Sequence, residues 1–369
     1  MRRINTYIHQ LADWPQFTWQ ATALESLLGT VRNQQGRLLG RLDGLGLDLR
    51  AEATLQTLTL DVLKSSEIEG EILPPASVRS SLAHRLGLEQ GGLPPADCRV
   101  EGVVAMMLDA TQQAEQPLTA ERLFAWHHAL FPTGHSGLYA VQVGAWRTGP
   151  MQVVSGPLGR ERVHYEAPPA DMMVAHMQQF LEWFNAPLDL DPVLKAAVAH
   201  FWFVTIHPFD DGNGRIARAI ADLQLTRADG TGQRCYSMSA QIQAERQDYY
   251  HLLETSQRGT LDLTPWLTWF LSCLGRALTS AEHTLGQVLT KARFWERHQQ
   301  TPLSERQRHL LTRLLDGFEG KLTTSKWARI AKCSQDTAGR DITDLISKGI
   351  IVRESAGGRS TSYRLAPEA

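Results

Sequence analysis

The sequence predicts a mainly helical protein with one β-hairpin in mid-chain and a small separate domain at its C-terminal end. Three observations carry that prediction. Apolar residues recur at helical spacing or in helix-length runs at 51–63, 192–206 and 264–278. In mid-chain, β-favouring residues cluster around a turn at 151–166, where Met151-Gln-Val-Val and Val-His-Tyr-Glu flank Ser-Gly-Pro-Leu-Gly. Beyond residue 303 the pattern changes to short helical segments followed by two strand-like pieces.

Taken in order, residues 1–93 form an N-terminal helical region. Within it Leu55, Leu58, Val62 and Leu63 mark one helix face, and the segment runs on through Ser65-Ser66-Glu67-Ile68-Glu69-Gly70. Ser65 and Glu69 are four apart and share that face, with Gly70 placed to end the helix. Gly91-Gly92-Leu93-Pro94-Pro95 breaks the chain. A core region follows over 96–289, helical apart from the hairpin, with a late helix at 264–278 opened by Thr264 as N-cap and Pro265 at N1. Residues 303–366 read as helix, helix, turn, helix and hairpin, which resembles a winged helix. Arg340 lies on its third helix, and Arg353, Arg359 and Arg364 lie near its hairpin. DNA contact through 303–366 is possible but not favoured, because Asp336, Asp341 and Asp344 dilute the positive charge that phosphates require.

Composition narrows the classes. The chain has 369 residues and a formal net charge of −2, so neither a basic nor an acidic tail points to bulk nucleic acid or to a membrane surface. No apolar run is long enough to span a bilayer and the first residues lack a signal-type apolar stretch, which gives a cytoplasmic expectation. The four cysteines, Cys98, Cys235, Cys273 and Cys333, form no metal-type spacing and are expected to be reduced and buried. His200 lies on an apolar helix and is read as a core residue rather than a ligand.

The chemistry concentrates in His207 to Arg218, HPFDDGNGRIAR. The buried helix Pro192–Ile206 should stop before His207, because Pro208 disfavours helical geometry at the residue preceding it, leaving the imidazole on an exposed turn. Gly212, Asn213 and Gly214 allow several backbone N–H groups to point into one concavity, and the next helix starts directly after them. That is an anion site at a helix N-terminus. Arg215 and Arg218 can clasp phosphate oxygens from one side of this helix, and Asp211 offers a hard oxygen for Mg²⁺. A base, an anion cradle, a metal carboxylate and two cations point to phosphoryl or nucleotidyl transfer to a hydroxyl.

His207-Pro208-Phe209, Asp211-Gly212-Asn213-Gly214-Arg215 and Arg218 resemble the complete signature of the Fic (filamentation induced by cAMP) family. The resemblance implies a Fic-type helical bundle that moves AMP from ATP to a Ser, Thr or Tyr hydroxyl of a protein. It implies His207 as the base, Phe209 as the loop's anchor and Asp211 as the Mg²⁺ ligand. The same resemblance puts the α and β phosphates on Gly212, Asn213 and Gly214, and the β and γ phosphates on Arg215 and Arg218. Ser65, Glu69 and Gly70 resemble the family's N-terminal inhibitory motif, whose glutamate pairs with the second motif arginine, here Arg218.

The hairpin at 151–166, with Val153, Val154, Ser155 and Gly156, resembles the family's flap, which pairs its edge with the target's backbone. Tyr249, Tyr250 and Gln257 resemble the wall of its adenine pocket, although some members carry Asn where Gln257 stands. Residues 6–19, TYIHQLADWPQFTW, resemble the N-terminal extension of one Fic subgroup. On this reading the expected partners are ATP, a target protein on the flap and a second copy in a homodimer. The alternatives are an enzyme that also removes AMP, or a nucleotide-sensing transcription regulator. An intact His207 favours the enzyme, since a pure sensor needs no base.

Overall fold

The computed structural model describes residues 7–88, 97–157, 159–187, 189–315, 320–354 and 361–367. The break expected at Gly91–Pro95, Leu158 of the hairpin turn and Arg359 of the C-terminal hairpin turn lie outside these residues. Two compact units are present, one up to Glu282 and one from His283.

The first unit opens with an extended segment whose Ile8 and Thr18 backbone N–H groups donate to the carbonyls of Gln257 and Leu261. Helices α1 (Ala21–Asp43), α2 (Leu47–Ile68) and α3 (Pro75–Arg85) follow, then α4 (Cys98–Gln112) and α5 (Ala120–Leu130). Asp97 caps α4 by accepting from Arg99 N and Val100 N, and Thr119 caps α5. Two short strands, β1 (His135–Ser136) and β2 (Tyr139–Ala140), pair with each other. Next, β3 (Gln152–Ser155) pairs antiparallel with β4 (Arg162–Glu166), the register shifting between Val153 and Val154.

Helices α6 (Met173–Asn185), α7 (Pro192–Ile206) and α8 (Asn213–Asp229) form the centre. Asp191 caps α7 through Val193 N, Pro192 fits its first turn, and every residue from Val193 to Ile206 is buried. A helix apolar all round must be enclosed, and α7 packs between α6 and α8. Trp266, Phe201, Phe203 and Phe180 are among the large buried rings around it. The unit continues with α9 (Met238–Ala244), α10 (Arg246–Ser256) and α11 (Thr264–Arg297). α11 runs nineteen residues past the Leu278 end expected from its apolar run, so the division between units at Glu282 and His283 falls inside this helix.

The second unit orders α12 (Glu305–Leu315), α13 (Thr324–Ile330), α14 (Gln335–Ser347), β5 (Ile351–Arg353) and β6 (Tyr363–Leu365). β5 and β6 are antiparallel, and Leu322 forms a bridge to Tyr363. Leu310, Leu311, Trp327, Ile342, Leu345 and Ile351 fill its core. Asp341 is buried, accepts two bonds from Arg306 at 2.6 and 2.8 Å and a third from Trp327 Nε1, while Asp344 accepts from Gln307 and Lys348. Asp336 is exposed, and the two paired acids neutralise Arg306 and Lys348, so the positive charge of this unit is diluted as its sequence suggests. The cysteine expectation needs a correction. All four thiols are free and Cys235 and Cys273 are buried, but Cys98, at the first position of α4, is exposed. No described helix is long and apolar enough to cross a membrane.

Candidate active site

α7 ends where Pro208 requires it to. His207 takes a left-handed conformation, φ 54° and ψ 60°, while its N–H still donates to Phe203 O. That turn sends Pro208 and Phe209 straight back into the core, and the imidazole goes with them. It is half-buried rather than on the exposed turn expected from sequence. His207 Nδ1 lies 3.1 Å from Val204 O. A carbonyl can only accept, so Nδ1 carries the hydrogen and Nε2 keeps its lone pair. Burial pulls the imidazole pKa down to about 4, against the opposing effect of the Val204 bond. The imidazole is therefore neutral at pH 7.

The loop is stapled from three sides. Phe209 is fully buried and stacks on His127 at 4.2 Å. Asn213 spans the turn, its Oδ1 accepting from Phe209 N and its Nδ2 donating to Phe209 O, which commits that side chain to the loop. Arg147, also buried, donates to His207 O at 2.8 Å, Gly149 O at 2.8 Å and Pro168 O at 2.6 Å, and so ties the His207 backbone to the foot of the β3–β4 hairpin. Asp211 Oδ1 accepts from Gly212 N, and its Oδ2 accepts from Ser136 Oγ at 2.5 Å.

Among the described residues no group of three or more His, Cys, Asp or Glu converges. A metal here would rest on the Asp211 carboxylate, with phosphate oxygens and water completing its shell, a donor set that suits Mg²⁺.

Gly212 caps α8, and the anion cradle expected at its first turn already meets a carboxylate. A Cβ built on Gly214 would collide with Glu69 Oε1, so only glycine leaves room for that group. Arg218, 2 % exposed, donates from Nη2 to Glu69 Oε1 at 2.8 Å, from Nε to Ser65 Oγ at 2.9 Å and from Nη2 to Ser65 O at 2.8 Å. Arg215 lies over the Phe131 ring and donates to Glu71 Oε2 at 3.0 Å. The end of α2 thus sits on the two arginines that the sequence suggested for phosphate.

The residues assigned to an adenine wall divide. Tyr249 is buried and shares a hydrogen bond with His200 Nε2 at 2.9 Å. Gln257 is buried as well, donating to Thr205 Oγ1 at 3.3 Å. Only Tyr250 is exposed, and its hydroxyl donates to Ile68 O, the last residue of α2. On the hairpin, Val154, Ser155 and Gly156 are exposed and Val153 is half-buried. Ser155 Oγ pairs with His164 Nε2, while Glu254 on α10 takes His164 Nδ1 at 2.7 Å and Arg162 Nη2 at 2.9 Å. Tyr165 fastens the hairpin's foot by donating to Thr205 O at 2.6 Å. Arg147, Ser136, Glu71 and Glu254 carried no sequence signal, because each acts through a partner at least 70 residues away or, for Arg147, through backbone carbonyls 60 and 21 residues on.

A sequence model of the Fic/DOC family matches residues 117–225, which hold the whole His207–Arg218 loop. Residues 117–225 are a Fic/DOC domain. Residues 7–88 match a second model, described as a domain of unknown function, DUF4172, so α2 comes from the segment preceding the Fic/DOC domain. Among curated relatives, the protein adenylyltransferase Fic of Drosophila willistoni is 28% identical over 220 residues, 59% of this chain and 40% of the relative. Its Drosophila mojavensis counterpart is 34% identical over 117 residues, 31% of this chain and 22% of the relative. The chain therefore spans about two fifths, or less, of the curated relatives it matches.

Among solved structures, a Fic family protein from Desulfovibrio desulfuricans G20 aligns over 96% of this chain and 99% of its own, with a TM-score of 0.54 and 23% identity. Fic-1 from C. elegans aligns over 72% of this chain and 75% of its own, with a TM-score of 0.50 and 22% identity. These two likenesses are of fold.

Proposed function

We propose that this Fic protein is a self-restrained nucleotidyltransferase that moves AMP from ATP to a hydroxyl of a protein. The observation that carries the proposal is the His207–Arg218 loop, which sets a neutral imidazole with a free Nε2 beside a helix N-terminus and two buried arginines. The curated relatives named adenylyltransferases support the same reading.

In this reaction the target hydroxyl oxygen bonds to the α-phosphorus, the bond from that phosphorus to the diphosphate breaks, and His207 Nε2 takes the hydroxyl proton. The backbone at Gly212–Gly214 and the Arg215 and Arg218 guanidiniums hold the phosphates and the charge that develops on the leaving diphosphate. Asp211 would hold Mg²⁺, which when bound offsets phosphate charge. The exposed β3–β4 edge offers main-chain pairing to an extended segment of the target, which fixes register and leaves its sequence loosely specified. Glu69 restrains the reaction by occupying the cradle and Arg218, so that ATP binds with its phosphates misplaced and the α-phosphorus out of line. We assign the homodimer to the same reading.

His207→Ala in a Glu69→Gly background tests the chemistry. ATP labelled on its α-phosphate should mark protein in a lysate with Glu69→Gly, ATP labelled on its γ-phosphate should not, and His207→Ala should cut the mark about 10²-fold. Near-equal transfer with alanine would remove His207 as the base. A mark from the γ label would mean phosphate transfer in place of AMP.

A further inference from the structure

Glu69 is not the only acid that α2 delivers to the loop, and the family resemblance assigns no role to the other. α2 ends in a paired turn: Gly70, at φ 83°, donates its N–H to Glu67 O and Glu71 donates its N–H to Ser66 O, both at 3.0 Å. This is the Schellman arrangement, and the left-handed residue it needs is the glycine between the two glutamates. The reversal aims both carboxylates at α8. Glu69 reaches Arg218 at 2.8 Å and Glu71 reaches Arg215 at 3.0 Å, two acids two residues apart meeting two arginines three residues apart. The Arg215 side chain is 8 % exposed and lies against the Phe131 ring, and Glu71 is its carboxylate partner among the described residues.

We propose that Glu71 is a second occupant of the polyphosphate site, one that holds Arg215 as Glu69 holds Arg218. Two carboxylates on two guanidiniums reproduce the charge pattern that a diphosphate unit would present to the same side chains. The Glu69-Gly70-Glu71 turn is then an internal diphosphate mimic, and a polyphosphate must displace both of its ends to reach both arginines. Removing Glu69 alone leaves Arg215 occupied. The inference rests on the proposed nucleotide site but not on the transfer of AMP.

The experiment measures binding of ATP and, separately, of inorganic diphosphate to the full chain by calorimetry, both in Mg²⁺. Wild type is compared with Glu71→Gln, Glu69→Gly, the double variant and Glu67→Gln. Glu67 lies on the same helix end but pairs with Lys64 and Gln243, so its substitution reports loosening of the turn without release of a motif arginine. Glu71→Gln should tighten both anions about three- to tenfold, as expected for removal of a partly exposed competitor from a nearly buried arginine. The double variant should bind more tightly than Glu69→Gly, and Glu67→Gln should match wild type.

Unchanged affinity in Glu71→Gln, no gain of the double variant over Glu69→Gly, or an equal gain from Glu67→Gln would each overturn the proposal. Diphosphate that tightens as expected while ATP binds to no variant would leave Glu71's role standing and remove the ATP reading. If neither anion binds any variant, both readings fall.

Discussion

Helix α2 meets the α8 region twice through acids and arginines, and the two meetings differ in one respect, access to water. Near the middle of α2, Asp61 is buried and accepts from Ser237 Oγ at 2.5 Å beside the Asp222–Arg234 pair. Asp222 and Arg234 are joined at 2.6 Å, and both side chains are 1 % exposed. At the end of α2, Glu69 makes a bond of similar length to an equally buried arginine, yet its own side chain is 32 % exposed. A sealed pair can only be kept or broken, because no solute reaches it. A pair with one open end can exchange its carboxylate for another anion. The same charge chemistry is therefore a permanent fastening in one place and, on the proposed function, a replaceable plug in the other.

The largest effect should come from breaking the sealed pair. Asp222→Ala leaves Arg234 charged and buried, and removal of one partner of a buried pair costs about 3–5 kcal/mol. Urea unfolding should show that loss, whereas a change below about 1 kcal/mol would mean that water or Asp61 takes over, and the contrast between the two sites would weaken.

The second effect is on catalysis and pH. With His207 near 4, the base stays neutral until the pH falls through that value, so AMP transfer by Glu69→Gly should hold its rate from pH 8 to about 5. A rate that halves near 6.5, the ordinary imidazole value, would show that the ring is solvated.

The smallest effect sharpens the comparison. Burial and the neighbouring Asp222 charge push Asp61 up to about 7. A carboxyl whose folded pKa is raised gives its stabilisation at low pH and loses it as pH climbs from the unfolded value of 3.8 through about 7. Asp61→Asn should therefore unfold a few degrees higher than wild type at pH 8 and at the same temperature near pH 4, as followed by thermal melts. A variant less stable at every pH would show that the Asp61 charge is needed, and that the fastening is an ionic triad.

Local signals made the loop and its helices readable in the sequence. The apolar run of α7, the proline after His207 and the glycines before α8 each act within a few residues, so their consequences follow from chain stereochemistry. Ser65, Glu69 and Gly70 were legible for the same reason, as a helix end with a face. What stayed hidden depends on distant partners. Arg147 contacts the backbone of His207 from sixty residues away, and Glu71 takes its meaning only from Arg215. Tyr249 and Gln257, singled out only by resemblance to an adenine wall, bond to His200 and Thr205 inside the core, partners that no local signal announced. α11 continues past Leu278 because residues such as Ala281, Glu282 and Leu285 favour helix without forming the strong apolar run that announced its start.

The most direct test of the plug is the transfer of labelled AMP by wild type and by Glu69→Gly, side by side, over a range of ATP concentrations. Release of Arg218 and of the cradle at Gly214 should raise incorporation at least tenfold at every concentration, on the scale of one buried charge-assisted pair. Equal incorporation by the two proteins would contradict the account, because the carboxylate in the cradle would then compete with nothing.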